Sequence, residues 1–209
     1  MAGRPTGGTS RSPHAPRGPA RERLLNAAAE LFYAHGVGAT GIDAVVTEAG
    51  VAKMSLYNNF ASKDDLVLAH LRARHEEWLE LYRRRLATAT DPVARVGAVF
   101  DAYVDHAEEA YRHGFRGCGL LNAAAELPTG SPGRELVRRH KEEVESLLET
   151  HLLEVGLPPR TCAGTAEHLS FLLEGAMARG GLEGESRRLH HAREIAAHLL
   201  APLTGSGGR

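Results

Sequence analysis

Aromatic residues are scarce in this chain. Phe, Trp and Tyr make up 5% of its 209 residues, with a single Trp. Set beside abundant Ala and Leu, that scarcity points to an all-α fold. Cysteine is scarcer still. Cys118 and Cys162 stand alone, which excludes a disulfide framework and fits a reducing compartment. No apolar run approaches the roughly 20 residues of a membrane span. The first residues are polar and rich in Gly and Pro, so they do not read as a signal peptide. These absences together predict a cytoplasmic protein.

Catalytic punctuation is missing as well. There is no nucleophile elbow, no HExxH, no phosphate loop ending in Lys-Ser/Thr, and no Cys/His cluster at ligand spacing. The chain has 12 His, but His190 and His191 are adjacent and face different ways. Asp105 and His106 point about a hundred degrees apart on a helix and make no dyad. The expectation is therefore no catalytic residue, no metal and no cofactor. Net charge is absent too: 25 Lys/Arg against 26 Asp/Glu give −1, which at first argues against a nucleic-acid partner. The charge is unevenly placed, however. Residues 1–60 hold six basic against four acidic side chains, and residues 61–209 hold nineteen against twenty-two. Such asymmetry says more than the total.

What is present is punctuation of another kind. Helices are predicted over residues 20–35, 41–49, 62–86, 92–113, 120–127, 132–155, 160–179 and 185–203, with one very short helix inside residues 50–63; that makes about nine. Gly50 supplies a left-handed stop. Ser62 with Asp65 reads as a capping box, and so does Thr40 with Asp43. Asp91-Pro92 and Ser131-Pro132 are N-caps followed by Pro at the first helical position. The helix ending Arg83-Arg84-Arg85 reads as solvated and favoured by the helix dipole. Residues 120–127 are nearly all small or apolar, so that helix is expected to be buried.

The short helix organises the rest. In GVAKMSLYNNFASK, residues 50–63, the apolar Val51, Leu56 and Phe60 can turn inward. That leaves Lys53, Met54, Ser55, Tyr57, Asn58 and Asn59 mostly outward. A helix this short cannot stand alone, and its outer face carries hydrogen-bonding groups and one cation rather than a Glu/Lys mix. Held out by two neighbours, it has the form of a reading element for the DNA major groove.

Residues 40–66, TGIDAVVTEAGVAKMSLYNNFASKDDL, closely resemble the DNA-binding part of the TetR/AcrR family of bacterial transcriptional regulators. The turn Ala49-Gly50-Val51, the Leu56, Tyr57 and Phe60 core, and the Ser62, Lys63 and Leu66 helix start match in order and spacing, as do Ala28, Leu31, Phe32 and Gly36 upstream. Val46 departs from the usual Ala and Asn59 from the common His. The resemblance implies a helix-turn-helix head over residues 20–66, with the fourth helix continuing as connector. It further implies a ligand-binding and dimerisation body over residues 67–203, a basic arm at 1–19 and a tail at 204–209. In it, Tyr57 and Lys63 anchor DNA phosphates with Thr40 assisting, while Lys53, Met54, Ser55, Asn58 and Asn59 meet base edges or backbone. The arm would bring Arg4, Arg11 and Arg17 to the DNA.

The body offers two expectations. The last two long helices carry surplus apolar residues, and the resemblance implies that they form a four-helix homodimer interface; Leu169, Leu172, Ala176, Leu189, Ala192, Ile195, Ala196 and Leu199 are the candidates. A pocket for a small organic effector is expected among Trp78, Tyr82, Phe100, Tyr103, His106, Cys118, Asn122, Phe171 and Glu174. Residues 115–126 resemble a segment that roofs the pocket in one group of these regulators. Cys118 has two readings, a small buried hydrophobe or an oxidant- or electrophile-sensing thiol favoured by Arg116 and a helix start beside it. The function implied is a cytoplasmic, nucleoid-associated regulator, a repressor released from a near-palindromic operator when a ligand swings the fourth helix. The alternatives are a thiol-based sensor, or a helical carrier without DNA.

Overall fold

A computed structural model describes residues 18–109 and 114–204. Among these residues the structure is all-α, with nine helices: α1 (Pro19–His35), α2 (Ile42–Glu48), α3 (Lys53–Asn59), α4 (Lys63–Leu86), α5 (Pro92–Glu109), α6 (Gly119–Glu126), α7 (Pro132–Glu154), α8 (Pro159–Glu183) and α9 (Arg187–Thr204). The arm residues Arg4, Arg11 and Arg17, and the predicted continuation of α5 to residue 113, lie outside the described residues.

Local signals set most of the boundaries. The α2–α3 turn is a Schellman closure: Gly50 sits at φ 60, its amide donates to the Thr47 carbonyl at 3.1 Å, and the Val51 amide donates to the Val46 carbonyl at 3.3 Å. At α4 the Ser62 hydroxyl accepts from the Asp65 amide at 3.1 Å. The Asp65 carboxylate closes the loop by accepting from the Ala61 amide, also at 3.1 Å. Asp91 caps α5 by accepting from the Ala94 amide at 2.8 Å. Thr40 breaks the pattern. It is buried, and its hydroxyl turns back to donate to the carbonyls of Gly36 at 2.7 Å and Leu31 at 3.3 Å. It therefore ties off α1 and does not cap α2, whose N-cap is Gly41 without a side-chain bond.

Helices α1 to α3 pack on one another, and α1 also lies on α4. Leu24, Ala28, Val45, Leu56 and Phe60 fill the space between them, each essentially buried. The long α4 then runs against α5 and α7, while α8 and α9 close the bundle on α7 and α5. Asp105 of α5 receives the Arg85 guanidinium through both carboxylate oxygens, with the Nε bond at 2.6 Å. That part of the basic end of α4 is thus a cross-helix tie and not a solvated cluster. Helix α6 is half-buried only: Leu120, Ala123 and Ala124 face in, while Leu121, Asn122 and Ala125 are exposed. The end of α8 presses on the chain before α6. A Cβ added to Gly181 would lie 2.6 Å from both the Arg116 carbonyl carbon and the Gly117 Cα, so only glycine fits there.

Candidate functional site

The short helix α3 presents what its sequence promises. Leu56 is buried, while Met54 and Tyr57 are exposed at 67% and 46%. Asn58 and Lys53 are exposed and Ser55 and Asn59 half-buried. Two of these side chains are already engaged. Lys53 pairs with Asp43 of α2 at 2.7 Å, and the Asn59 amide nitrogen donates to the Ser55 carbonyl at 2.7 Å, inside its own helix. Lys63 sits half-buried in the first turn of α4. Thr40, turned inward, has no hydroxyl proton left for a phosphate, which corrects its assignment as an assisting contact.

A second feature lies where α1 meets α6 and α8. A cleft of about 630 Å³ opens there, with Phe32, Tyr33 and Gly36 on one side and Arg116, Cys118, Leu121, Asn122, Glu126, Glu174, Met177 and Leu182 on the other. Its rim is a set of hydrogen bonds across the junction. The Arg116 guanidinium donates to the carbonyls of Tyr33, at 2.8 Å, and Ala34, the last turn of α1. The Tyr33 hydroxyl accepts from the Arg116 amide and donates to the Gly117 carbonyl at 3.2 Å. The Glu126 carboxylate accepts from the amides of Val37, at 3.1 Å, and Gly38, at 2.6 Å, in the α1–α2 turn. Sequence reading missed Tyr33, Arg116 and Glu126 as partners. A helix end that stops at Gly36 leaves orphan carbonyls that need donors, and that was the available signal.

The predicted pocket set divides. Cys118, Asn122 and Glu174 line the cleft. Trp78, Tyr82, Phe100, Tyr103 and His106 are instead core residues. Trp78 stacks on Tyr82 at 5.7 Å, and the Tyr82 hydroxyl lies 2.6 Å from His151 Nε2. Tyr103 takes a hydrogen bond from Lys141 at 3.2 Å, and Lys141 pairs with Glu174 at 2.6 Å. Phe171 is 63% exposed, on the outer side of α8, and cannot line an interior pocket. Cys118 is buried at the N-cap of α6. Arg116, which was to activate its thiol, spends its guanidinium on α1.

The predicted dimer set also needs correction. Leu169, Ala176, Leu189, Ala192 and Ala196 are buried within the single chain. They hold α8 and α9 to their own bundle and leave nothing for a partner. Leu172 and Ile195 are half-buried, and Leu199 is half-exposed. The apolar surplus lies one step around the helices, at Phe171 and Leu182 of α8 and Leu199 and Leu203 of α9. Among the described residues no group of three or more His, Cys, Asp or Glu is placed to hold a metal. None of the described helices is long and apolar enough to cross a membrane.

The model of a family described as bacterial regulatory proteins, tetR family, matches residues 24–70. A solved structure of a TetR-family transcriptional regulator from Streptomyces coelicolor is 32% identical, superposes with a TM-score of 0.76, and covers 86% of this chain and 95% of that one. The chain belongs to the TetR family. Among curated relatives of this TetR-family regulator, the activator FasR of Mycolicibacterium smegmatis is 38% identical over 112 residues, 52% of this chain and 51% of FasR. The repressor KstR2 of the same organism is 34% identical over 49% of this chain and 50% of its own length. The chain thus matches about half the length of these two curated relatives. LmrA of Bacillus subtilis, a transcriptional regulator, is 27% identical over 88% of this chain and 97% of its own. The likeness is to transcriptional regulators throughout, which disfavours the carrier and thiol-sensor alternatives.

Proposed function

We propose that this TetR-family regulator is a homodimeric repressor that reads a near-palindromic operator through α3 and leaves it when a small organic effector binds the body. The observation that carries the reading is the outer face of α3. A seven-residue helix, too short to persist alone, is held by a glycine closure on one side and a Ser-Asp cap on the other. Between them it exposes Lys53, Met54, Tyr57 and Asn58 together. Asn can pair bidentately with adenine and Lys with guanine in the major groove. Tyr57 and Lys63 flank those groups and serve as phosphate anchors. Helices α1–α3, with the start of α4, act as the reading head, and the remainder as the effector and dimerisation body.

The second copy docks on the exposed apolar residues of α8 and α9, centred on Phe171 and Leu199. A two-fold pair of heads then meets half-sites about 34–36 Å apart, or a multiple of that distance. The test is selection of bound duplexes from a random pool at stated salt. An enriched inverted repeat supports both the reading face and the dimer. Folded protein that enriches nothing refutes the reading.

A further inference from the structure

The cleft between α1, α6 and α8 contains an unanswered acceptor. Glu174 places Oε1 on Lys141 at 2.6 Å, whereas its Oε2 is buried and meets no hydrogen-bond donor. A carboxylate oxygen stripped of water without a donor is unfavourable unless something supplies one. Glu174 is a wall of the cleft, so a molecule lodged there can supply it. The surrounding walls are largely apolar, with Phe32, Leu121, Met177 and Leu182, and the volume of about 630 Å³ falls in the range of small-molecule sites, roughly 300–1,000 Å³. The charged side chains in the walls other than Glu174 are already committed to α1 and the α1–α2 turn, Arg116 to carbonyls and Glu126 to amides. What remains open is therefore a single anionic acceptor at the base of an apolar slot.

We propose that the effector is a mainly apolar amine, seated in this cleft with its N–H group on Glu174 Oε2, and that it acts by opening the Arg116 and Glu126 ties to the end of α1. This deepens the repressor reading and rests on it. The geometry couples site to head directly. Gly36, Arg116 and Glu126 are at once walls of the cleft and members of the junction, so a molecule filling the cleft competes for the space those ties occupy. The α1–α2 turn carries α2, and α2 carries α3 through the Gly50 closure. A ligand that fits better with the ties open shifts the head toward a state unsuited to the operator.

The probe is 4-phenylbutylamine, with 4-phenylbutyrate as the control of like skeleton that lacks an N–H donor. Calorimetry on the full chain without DNA is expected to show the amine binding and the acid binding at least about tenfold more weakly. Glu174→Gln, which can still accept from Lys141, is expected to lose about tenfold in amine affinity and to narrow the preference over the acid. Leu121→Trp, at an exposed position on the cleft wall, fills the slot and is expected to lose the amine as well, which keeps the test alive should the Glu174 variant misfold. Operator affinity, measured separately, is expected to fall when the amine is added. Equal binding of amine and acid, or undiminished amine affinity in both folded variants, overturns the cleft assignment. Amine binding that leaves operator affinity unchanged overturns the coupling. Failure to select any operator overturns the repressor reading, while the calorimetry still decides the cleft.

Discussion

At the scale of single residues, Thr40 shows how one hydroxyl can be claimed by the wrong neighbour. Its sequence position, three residues before Asp43, imitates a capping box, yet the turn at Gly36 points it inward at the carbonyls of Leu31 and Gly36. Thr40→Val is expected to lower stability by about 1–2 kcal/mol through the carbonyls it leaves unmet, while operator affinity of the folded protein stays as it was; urea unfolding and a DNA titration check the two halves. Buried histidines give the protein an acid-sensitive side. Burial, assisted by Arg74, lowers His70 from 6.5 to about 3. Burial, with Arg74 and Lys141 nearby, lowers His106 to about 4. Between those values and 6.5 the unfolded chain binds protons that the folded one refuses, so stability is fully present above about pH 6.5 and is lost as pH falls. The slope is about 1.4 kcal/mol per pH unit for each such histidine. Urea midpoints at pH 7, 6 and 5 are expected to fall in that order, and His70→Leu to flatten the fall.

At the scale of elements, α3 and the start of α4 carry different kinds of contact and are expected to fail differently. Asn58→Ala is expected to cost about 1–3 kcal/mol at one base position and relax preference there; an unaltered binding-site preference refutes base reading by Asn58. Lys63→Ala is expected to weaken all sequences alike and reduce the salt slope by about one unit, as measured by titration at several salt concentrations. Element boundaries were legible wherever the signal is local. Gly50, Ser62 with Asp65, and Asp91-Pro92 each act within a few residues, and each does what its residue type dictates. Long-range partners were not legible. Arg85 and Asp105 are twenty residues apart in sequence, and nothing in a run of three arginines tells which one crosses to the next helix. The core set from Trp78 to His106 was read as pocket because polar groups in a bundle interior suggest a ligand. In the structure several of those groups answer one another: Tyr82 with His151, and Tyr103 with Lys141 and His140.

At the scale of the whole molecule, the apolar excess of α8 and α9 was visible in the sequence, but its phase was not. Both helices are apolar on more than one face, and only the fold shows which face the chain uses on itself. Leu169, Leu189 and Ala196 are spent internally, and Phe171 and Leu199 remain outside. Phe171→Glu is expected to leave the fold intact and yield a monomer in sedimentation equilibrium, with operator affinity reduced roughly 100-fold or more as the two heads lose their linkage. A dimer that survives this substitution places the interface elsewhere.

The glycine at position 181 bears on how this protein can change over generations. Any side chain there collides with backbone at Arg116 and Gly117, and backbone cannot step aside as a flexible side chain can. The floor of the cleft is therefore frozen against drift, whereas Leu121 and Leu182 stand at exposed positions where substitution costs little. A lineage of such chains is free to alter what the mouth admits while keeping the depth constant, and descendants should diverge in the shape of molecule they recognise before they diverge in where they recognise it.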